Sequence, residues 1–133
     1  MFSEGSKAIL LVDDDEMIRE FIGRSLEQAQ FKVITAKSGN EALWLYGLQG
    51  DEIDLVVTDI LMPSLFGDQL AVRLWEQEPT LPILFISGNP PEDLAPGVTL
   101  ELGQNFLRKP FKVAELLDTI RRMLVRLEPV PAE

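Results

Sequence analysis

The sequence predicts an α/β domain built on an open sheet of parallel strands with helices on both faces. Five short apolar runs alternate with stretches of helical period, the pattern of repeated strand–helix–strand units. The runs ILLV and DLVV are apolar on both sides, as strands covered on both faces must be. Four of the runs also deliver a polar residue at or just past their carboxyl ends: Asp13, Asp14 and Asp15, then Asp59, Ser87 and Lys109. In an open parallel sheet those ends share one crevice, so groups far apart in sequence converge there.

The elements follow in order. Residues 8–12 read as the first strand, and Asp13 to Glu16 open the first helix, where acidic groups favour the positive end of the helix dipole. Met17, Ile18, Phe21, Ile22, Ser25, Leu26 and Ala29 fall on helical spacings. Residues 31–35 form the second strand. Ser38 with Glu41 three positions on is a capping box for a second helix carrying Ala42, Leu43, Leu45, Tyr46 and Leu48. Residues 53–58 form the third strand, and Leu70, Leu74 and Trp75 mark the third helix. Residues 83–87 form the fourth strand. The stretch 89–103 is the weakest, because Pro90 and Pro91 start it and Ala95-Pro96-Gly97 interrupts it; any fourth helix there is short, displaced or mobile. Residues 105–107 form the fifth strand, and Val113, Leu116, Leu117, Ile120, Leu124 and Leu127 the last helix. Residues 1–7 and 128–133 read as tails around one domain of residues 8–127.

At 133 residues, 46% of them hydrophobic, the chain suits one domain with one core. It has no cysteine and no histidine, which excludes disulfides, thiolate chemistry and imidazole chemistry on this chain. The opening MFSEGSK has no apolar signal core, and no apolar run approaches the ~20 residues of a membrane span. A soluble, cytoplasmic protein without membrane insertion is expected. The net charge of −10 argues against nucleic acid, whose binding rests on Lys and Arg displacing counterions. The charge is uneven: Lys109, Lys112, Arg121, Arg122 and Arg126 cluster near the end and offer either a basic face for an acidic protein or an ordinary solvated helix face.

Three aspartates after a strand are by themselves a helix cap and a solvated turn. Asp59, directly after a buried run, is harder to explain as packing, since a buried charge needs a partner. Converging carboxylates repel one another and welcome a hard cation, and Mg2+ needs only one or two of them. Ser87 alone reads as a strand-end hydroxyl, with Gly88 beside it permitting close approach to the main chain. Lys109 alone reads as a surface residue. Because a proline follows it, its backbone is held extended, with the side chain aimed at the acids.

Together DDD after the first strand, DILMPSLFG after the third, ISG after the fourth and FLRKPF after the fifth resemble the receiver domain of two-component response regulators. The resemblance covers residues 8–127 and implies a five-stranded flavodoxin-like sheet of order 2-1-3-4-5. It implies that Asp59 is the phosphoacceptor, taking a phosphoryl group from a histidine kinase or histidine phosphotransfer protein. It further implies Mg2+ bound by Asp14, by Asp59 and by the backbone carbonyl of Leu61, with Asp13 acting mainly through water. Ser87 and the amide of Gly88 would bind the phosphoryl group, and Lys109 would pair with it. Phe106 matches an aromatic switch position that turns inward as Ser87 moves, reshaping the face made by the fourth helix, fifth strand and fifth helix for an unknown downstream protein. Lys109–Pro110 matches a peptide bond often cis in the family. Asp15 is the extra acid, better suited to capping the first helix.

The chain departs from the family pattern at the proline-broken stretch 89–97 and at Leu61 and Asn89, which affect water access to a phosphoryl group. The ISG motif leaves open a receiver excised from a hybrid kinase as well as a stand-alone regulator. Two other classes remain. One is a Mg2+ phosphohydrolase of the haloacid dehalogenase type, using Asp13 and Asp15; its later acidic pair is missing, with only Glu115 and Asp118 between Lys109 and Glu128. The other is a receiver-like binding module that signals without phosphorylation. A signalling domain, not a turnover enzyme, is the expectation.

Overall fold

Alternation of β-branched runs with amphipathic ones folds as the parallel pattern demands. The computed structural model describes residues 7–126. The order is β1 (Ala8–Val12), α1 (Glu16–Gln28), β2 (Lys32–Ala36), α2 (Gly39–Gln49), a 3-10 turn (Gly50–Glu52), β3 (Leu55–Asp59), α3 (Gly67–Gln77), β4 (Ile83–Ser87), β5 (Phe106–Arg108) and α4 (Val113–Arg126). The five strands pair in parallel in the order β2-β1-β3-β4-β5. The expected tails at residues 1–6 and 128–133, and Leu127 as the end of the last helix, lie outside the described residues.

Strand alternation splits the core in two. Leu10, Val12, Val56, Ile83 and Phe85 face one way and pack with Ala42, Tyr46, Leu70 and Leu74 of α2 and α3. Ile9, Leu11, Leu55, Val57, Leu84 and Ile86 face the other way and pack with Ile22, Leu26, Leu116 and Ile120 of α1 and α4. Every residue of β1, β3 and β4 is buried, so the central strands have no solvent face.

Local capping chemistry sets the helix starts. Asp15 caps α1, accepting from the amides of Met17 (2.9 Å) and Ile18 (3.2 Å). Ser38 accepts from the amide of Glu41 at 3.0 Å, and Glu41 reaches back to the amide of Lys37 at 3.1 Å. Not every periodic apolar residue is inside. Met17, Phe21 and Leu48 are exposed, because α1 turns Ile22, Gly23 and Leu26 to the sheet and α2 turns Ala42 and Tyr46.

The stretch between β4 and β5 corrects one expectation: no helix forms there at all. Pro90, Pro91 and Pro96 supply no amide hydrogen for an i to i−4 bond. Ala95-Pro96-Gly97-Val98 instead closes a turn, with the Val98 amide donating to the Ala95 carbonyl at 3.1 Å and Gly97 at φ +90°. Proline second and a positive-φ glycine third are the signature of a type II turn. Asn105 ties the far end, accepting from the Glu101 amide and donating to the Thr99 carbonyl, both at 2.8 Å. The face expected from a fourth helix, β5 and a fifth helix is therefore built by this loop, β5 and α4.

Candidate functional site

The site lies past the carboxyl ends of β1, β3, β4 and β5, where backbone pairing fixes what each strand delivers. Asp59 ends β3 beside Ile86 of β4, one residue short of Ser87. Lys109 follows β5, and its amide donates to the Ser87 carbonyl at 3.0 Å. Asp13 follows β1 and donates its amide to the Ala36 carbonyl at 3.1 Å, prolonging the β1–β2 pairing by one bond.

Lys109 joins the acids. Its Nζ lies 2.9 Å from Asp59 Oδ2 and 3.4 Å from Asp13 Oδ2. Carboxylate oxygens of Asp13, Asp14 and Asp59 lie within 4.8 Å of one another. Asp13 is fully buried and Asp59 9% exposed, whereas Asp14 is exposed. Burial pushes the Asp13 carboxyl above its ordinary value, and the Asp59 charge adds to this. The Asp15 amide at 2.9 Å and the Lys109 charge oppose the rise without cancelling it. For Lys109, burial acts to lower the pKa, but the hydrogen bond to Asp59 and the charges of Asp13 and Asp59 prevail and raise it. Lys109 therefore stays protonated.

Three oxygen donors with one ammonium between them leave negative charge in excess. An all-oxygen donor set of this kind fits a hard divalent cation such as magnesium. Asp15 is spent on the α1 cap and points its carboxylate at amides.

The other expected residues fall around this cluster. Ser87 is 2% exposed, and its hydroxyl accepts from the Asn89 amide at 3.3 Å. Gly88 is exposed beside Lys109; a Cβ placed there would sit 3.8 Å from Lys109 Cβ. Leu61 is 42% exposed just beyond Asp59. The Lys109–Pro110 bond is cis. Phe106 is already inside: it is 5% exposed and packed in the core with Phe85 and Val98.

Three contributors escaped the sequence reading. Arg19 donates from Nη1 to the Asp13 carbonyl at 2.7 Å, clasping the loop that carries the acids. Thr58 is buried and donates to the Asp59 carbonyl at 2.8 Å. Gly67 has its amide 2.7 Å from the Ile60 carbonyl, and a Cβ there would lie 2.1 Å from the Asp59 carbonyl oxygen. Only glycine permits that approach of α3 to the backbone of Asp59. The glycine was visible in the sequence; the contact it serves was not.

A model of the response regulator receiver domain matches residues 9–121. The chain belongs to that family. The receiver domain is 36% identical over 119 residues to the response regulator receiver protein CpdR of Brucella abortus, a match covering 90% of this chain and 98% of that protein. It is 34% identical over 120 residues to the sensor kinase CckA of the same organism, covering 90% of this chain but only 13% of the kinase. Its fold matches the crystal structure of a response regulator receiver protein from Sinorhizobium medicae with a TM-score of 0.79 and 30% identity, covering 95% of this chain and all of that one. The receiver thus spans nearly the whole of one relative and a small part of another. Among the described residues no helix is long and apolar enough to cross a membrane.

Proposed function

We propose that this receiver domain accepts a phosphoryl group on Asp59 from a histidine kinase or histidine phosphotransfer protein in the cytoplasm, with magnesium, and passes the signal on by protein contact. The observation that carries the reading is Lys109 Nζ at 2.9 Å from Asp59 Oδ2, with the oxygens of Asp13 and Asp14 gathered beside Asp59. A carboxylate at a strand end, oriented by a fixed ammonium, is a poised nucleophile.

In the transfer, an Asp59 oxygen attacks phosphorus, the phosphorus–nitrogen bond of the donor breaks, and the imidazole leaves as the nitrogen takes up a proton. Asp14, Asp59 and the Leu61 carbonyl would hold magnesium, Asp13 acting through water; neutralisation of charge on the phosphoryl oxygens is the chemistry it supplies. Lys109 shares that task as a point charge. Ser87, whose hydroxyl accepts a long 3.3 Å bond from the Asn89 amide, can turn to a phosphoryl oxygen, and the Gly88 amide lies beside it. Gly67 and Thr58 hold the Asp59 backbone while its side chain reacts. The product carries nearly two additional negative charges and is stable enough to act as a signal, not as one turn of a catalytic cycle. Apolar Leu61 at the mouth supplies no group to position a hydrolytic water, in keeping with slow loss of the phosphoryl group.

The test is intact mass after incubation with magnesium and acetyl phosphate, for the wild type and Asp59→Ala. One phosphoryl group gained, dependent on magnesium and absent in the variant, is the expected result. No gain under conditions that label another receiver would turn the reading to a module that signals without phosphorylation.

A further inference from the structure

Among the described residues, Asp68 is the buried carboxylate that the phosphoryl site does not use. It is 4% exposed and stands second in α3. Its Oδ2 accepts from the Ala95 amide at 2.7 Å, across 27 residues of chain. Its Oδ1 is buried with no hydrogen-bond partner among the described residues.

The need for an acceptor is clear. The loop between β4 and β5 has no helix, and the Ala95 amide is served by the Asp68 side chain and not by the carbonyl four residues back. The need for a charge is not. One amide is served by a neutral serine or asparagine at less desolvation cost, whereas a carboxylate left half unpartnered in the interior is a liability. The first turn of α3 favours an acid, but the closed contact alone does not account for one whose second oxygen is buried without a partner. A second state, in which water reaches both oxygens, does.

Asp68 is also wired to the phosphoryl site. Gly67, its neighbour, is pressed onto the Asp59 carbonyl, and the loop it holds begins at Ser87, whose hydroxyl accepts from Asn89. The loop's own apolar residues, Leu94, Ala95, Val98 and Leu100, pack on the core that contains Phe106. So the loop is tied to the site at its start and again, through α3, at its middle.

We propose that the Asp68–Ala95 hydrogen bond is a latch that holds residues 88–105 closed in the unphosphorylated receiver and opens when Asp59 is phosphorylated. This rests on the phosphoacceptor reading above. Phosphoryl oxygens recruit the Ser87 hydroxyl from Asn89, the start of the loop shifts, and Ala95 leaves Asp68 for water. Leu94, Val98 and Leu100 are released with it. Asp68 is then a positioning residue for the output, doing for this loop what packing does for a helix.

Hydrogen exchange on the full chain tests this, with phosphoryl occupancy of Asp59 read by intact mass in the same samples, with and without magnesium and acetyl phosphate. In the wild type the Ala95 amide is expected to exchange at least tenfold faster in the phosphorylated protein. In Asp68→Ala it exchanges fast in both states with unchanged occupancy, and Asp68→Asn, which keeps an acceptor, restores slow exchange in the unphosphorylated state. Should Asp68→Ala fail to fold, Ala95→Pro removes the donor instead, and the Val98 amide is expected to exchange fast in both states. Full occupancy with no change at Ala95, or slow exchange in Asp68→Ala, overturns the latch alone. Absence of phosphoryl gain in the wild type overturns the phosphoacceptor reading and the latch with it.

Discussion

The acid site and the loop between β4 and β5, which starts beside it and runs back to the amino end of β5, are built on opposite principles. Around Asp13 and Asp59, main-chain groups are held by strand pairing, the Arg19 clasp, Thr58 and the seat of Gly67. The loop has a type II turn, the Asn105 ties, amides of Gln104 and Asn105 on the Glu101 carbonyl, the Gly103 amide on the Phe106 carbonyl, the Asn89 amide on the Ser87 hydroxyl and one long-range bond to the Asp68 side chain. The chemistry needs groups held to fractions of an ångström, which rigid elements provide. The proposed response needs a segment with two arrangements of similar free energy, and the proline-broken loop without a helix is the part of this fold suited to supply it.

The largest expected effect is on the rigid side. Lys109→Ala removes the ammonium that both Asp13 and Asp59 face, and the rate of phosphoryl uptake from acetyl phosphate should fall about 10²–10³-fold, the usual loss for one preorganised charge partner. Exchange in the loop should barely change in the unphosphorylated variant. If it rises instead, Lys109 is also part of the loop's support and the two regions are not separate.

Gly67→Ala comes next. A methyl group 2.1 Å from a backbone carbonyl must displace α3 or Asp59, and overpacking of that kind costs about 1–3 kcal/mol. A urea midpoint shows the loss of stability, and slower phosphoryl uptake shows that the Asp59 backbone moved. Loss of stability with an unaltered uptake rate would mean that α3 yielded alone.

Asp13→Asn sharpens the comparison in the other sense. The carboxyl of Asp13 is raised by burial, so its folded pKa exceeds the unfolded one. Its contribution to stability is therefore full below the unfolded pKa and lost as pH rises through the folded pKa. Asparagine escapes that loss and can still accept from Asp15, so in chelator at neutral pH the variant should be more stable by about 0.5–2 kcal/mol. The gain should vanish on acidification, and magnesium-dependent labelling should weaken. A site that is destabilised for its chemistry behaves this way; a structural carboxylate would not.

Much of both regions was legible where the cause is local. Asp15 caps α1 and Ser38 caps α2 because a short polar side chain meets amides two or three residues on. The convergence of Asp13, Asp59, Ser87 and Lys109 follows from parallel topology alone. The prolines announced that residues 89–103 were poor helix, but their complete escape from helix depends on where Asp68 and Asn105 offer alternative partners. Those partners, like the reach of Arg19 to a carbonyl, are properties of the packed chain. Burial of Phe106 is another, since nothing in FLRKP distinguishes a ring inside from a ring outside.

The smallest effect belongs to Gly97→Ala, and it tests the loop by itself. Nothing lies within 4 Å of a Cβ built there, so the substitution meets no obstacle except its own backbone at φ +90°. An L-residue in that region costs about 1 kcal/mol, which must be met by opening the 95–98 turn. Exchange of the Val98 amide, which closes that turn, should quicken roughly fivefold, the ratio that one kcal/mol produces. The global unfolding midpoint should shift less than for Gly67→Ala, because the loop can open without unfolding the sheet. Phosphoryl uptake at Asp59 should be unchanged, since the one acid that the turn binds is Asp68, outside the cluster of Asp13, Asp14 and Asp59. Slower uptake would show that turn geometry reaches back through Ser87 into the site. The loop would then constrain the chemistry as well as answer it.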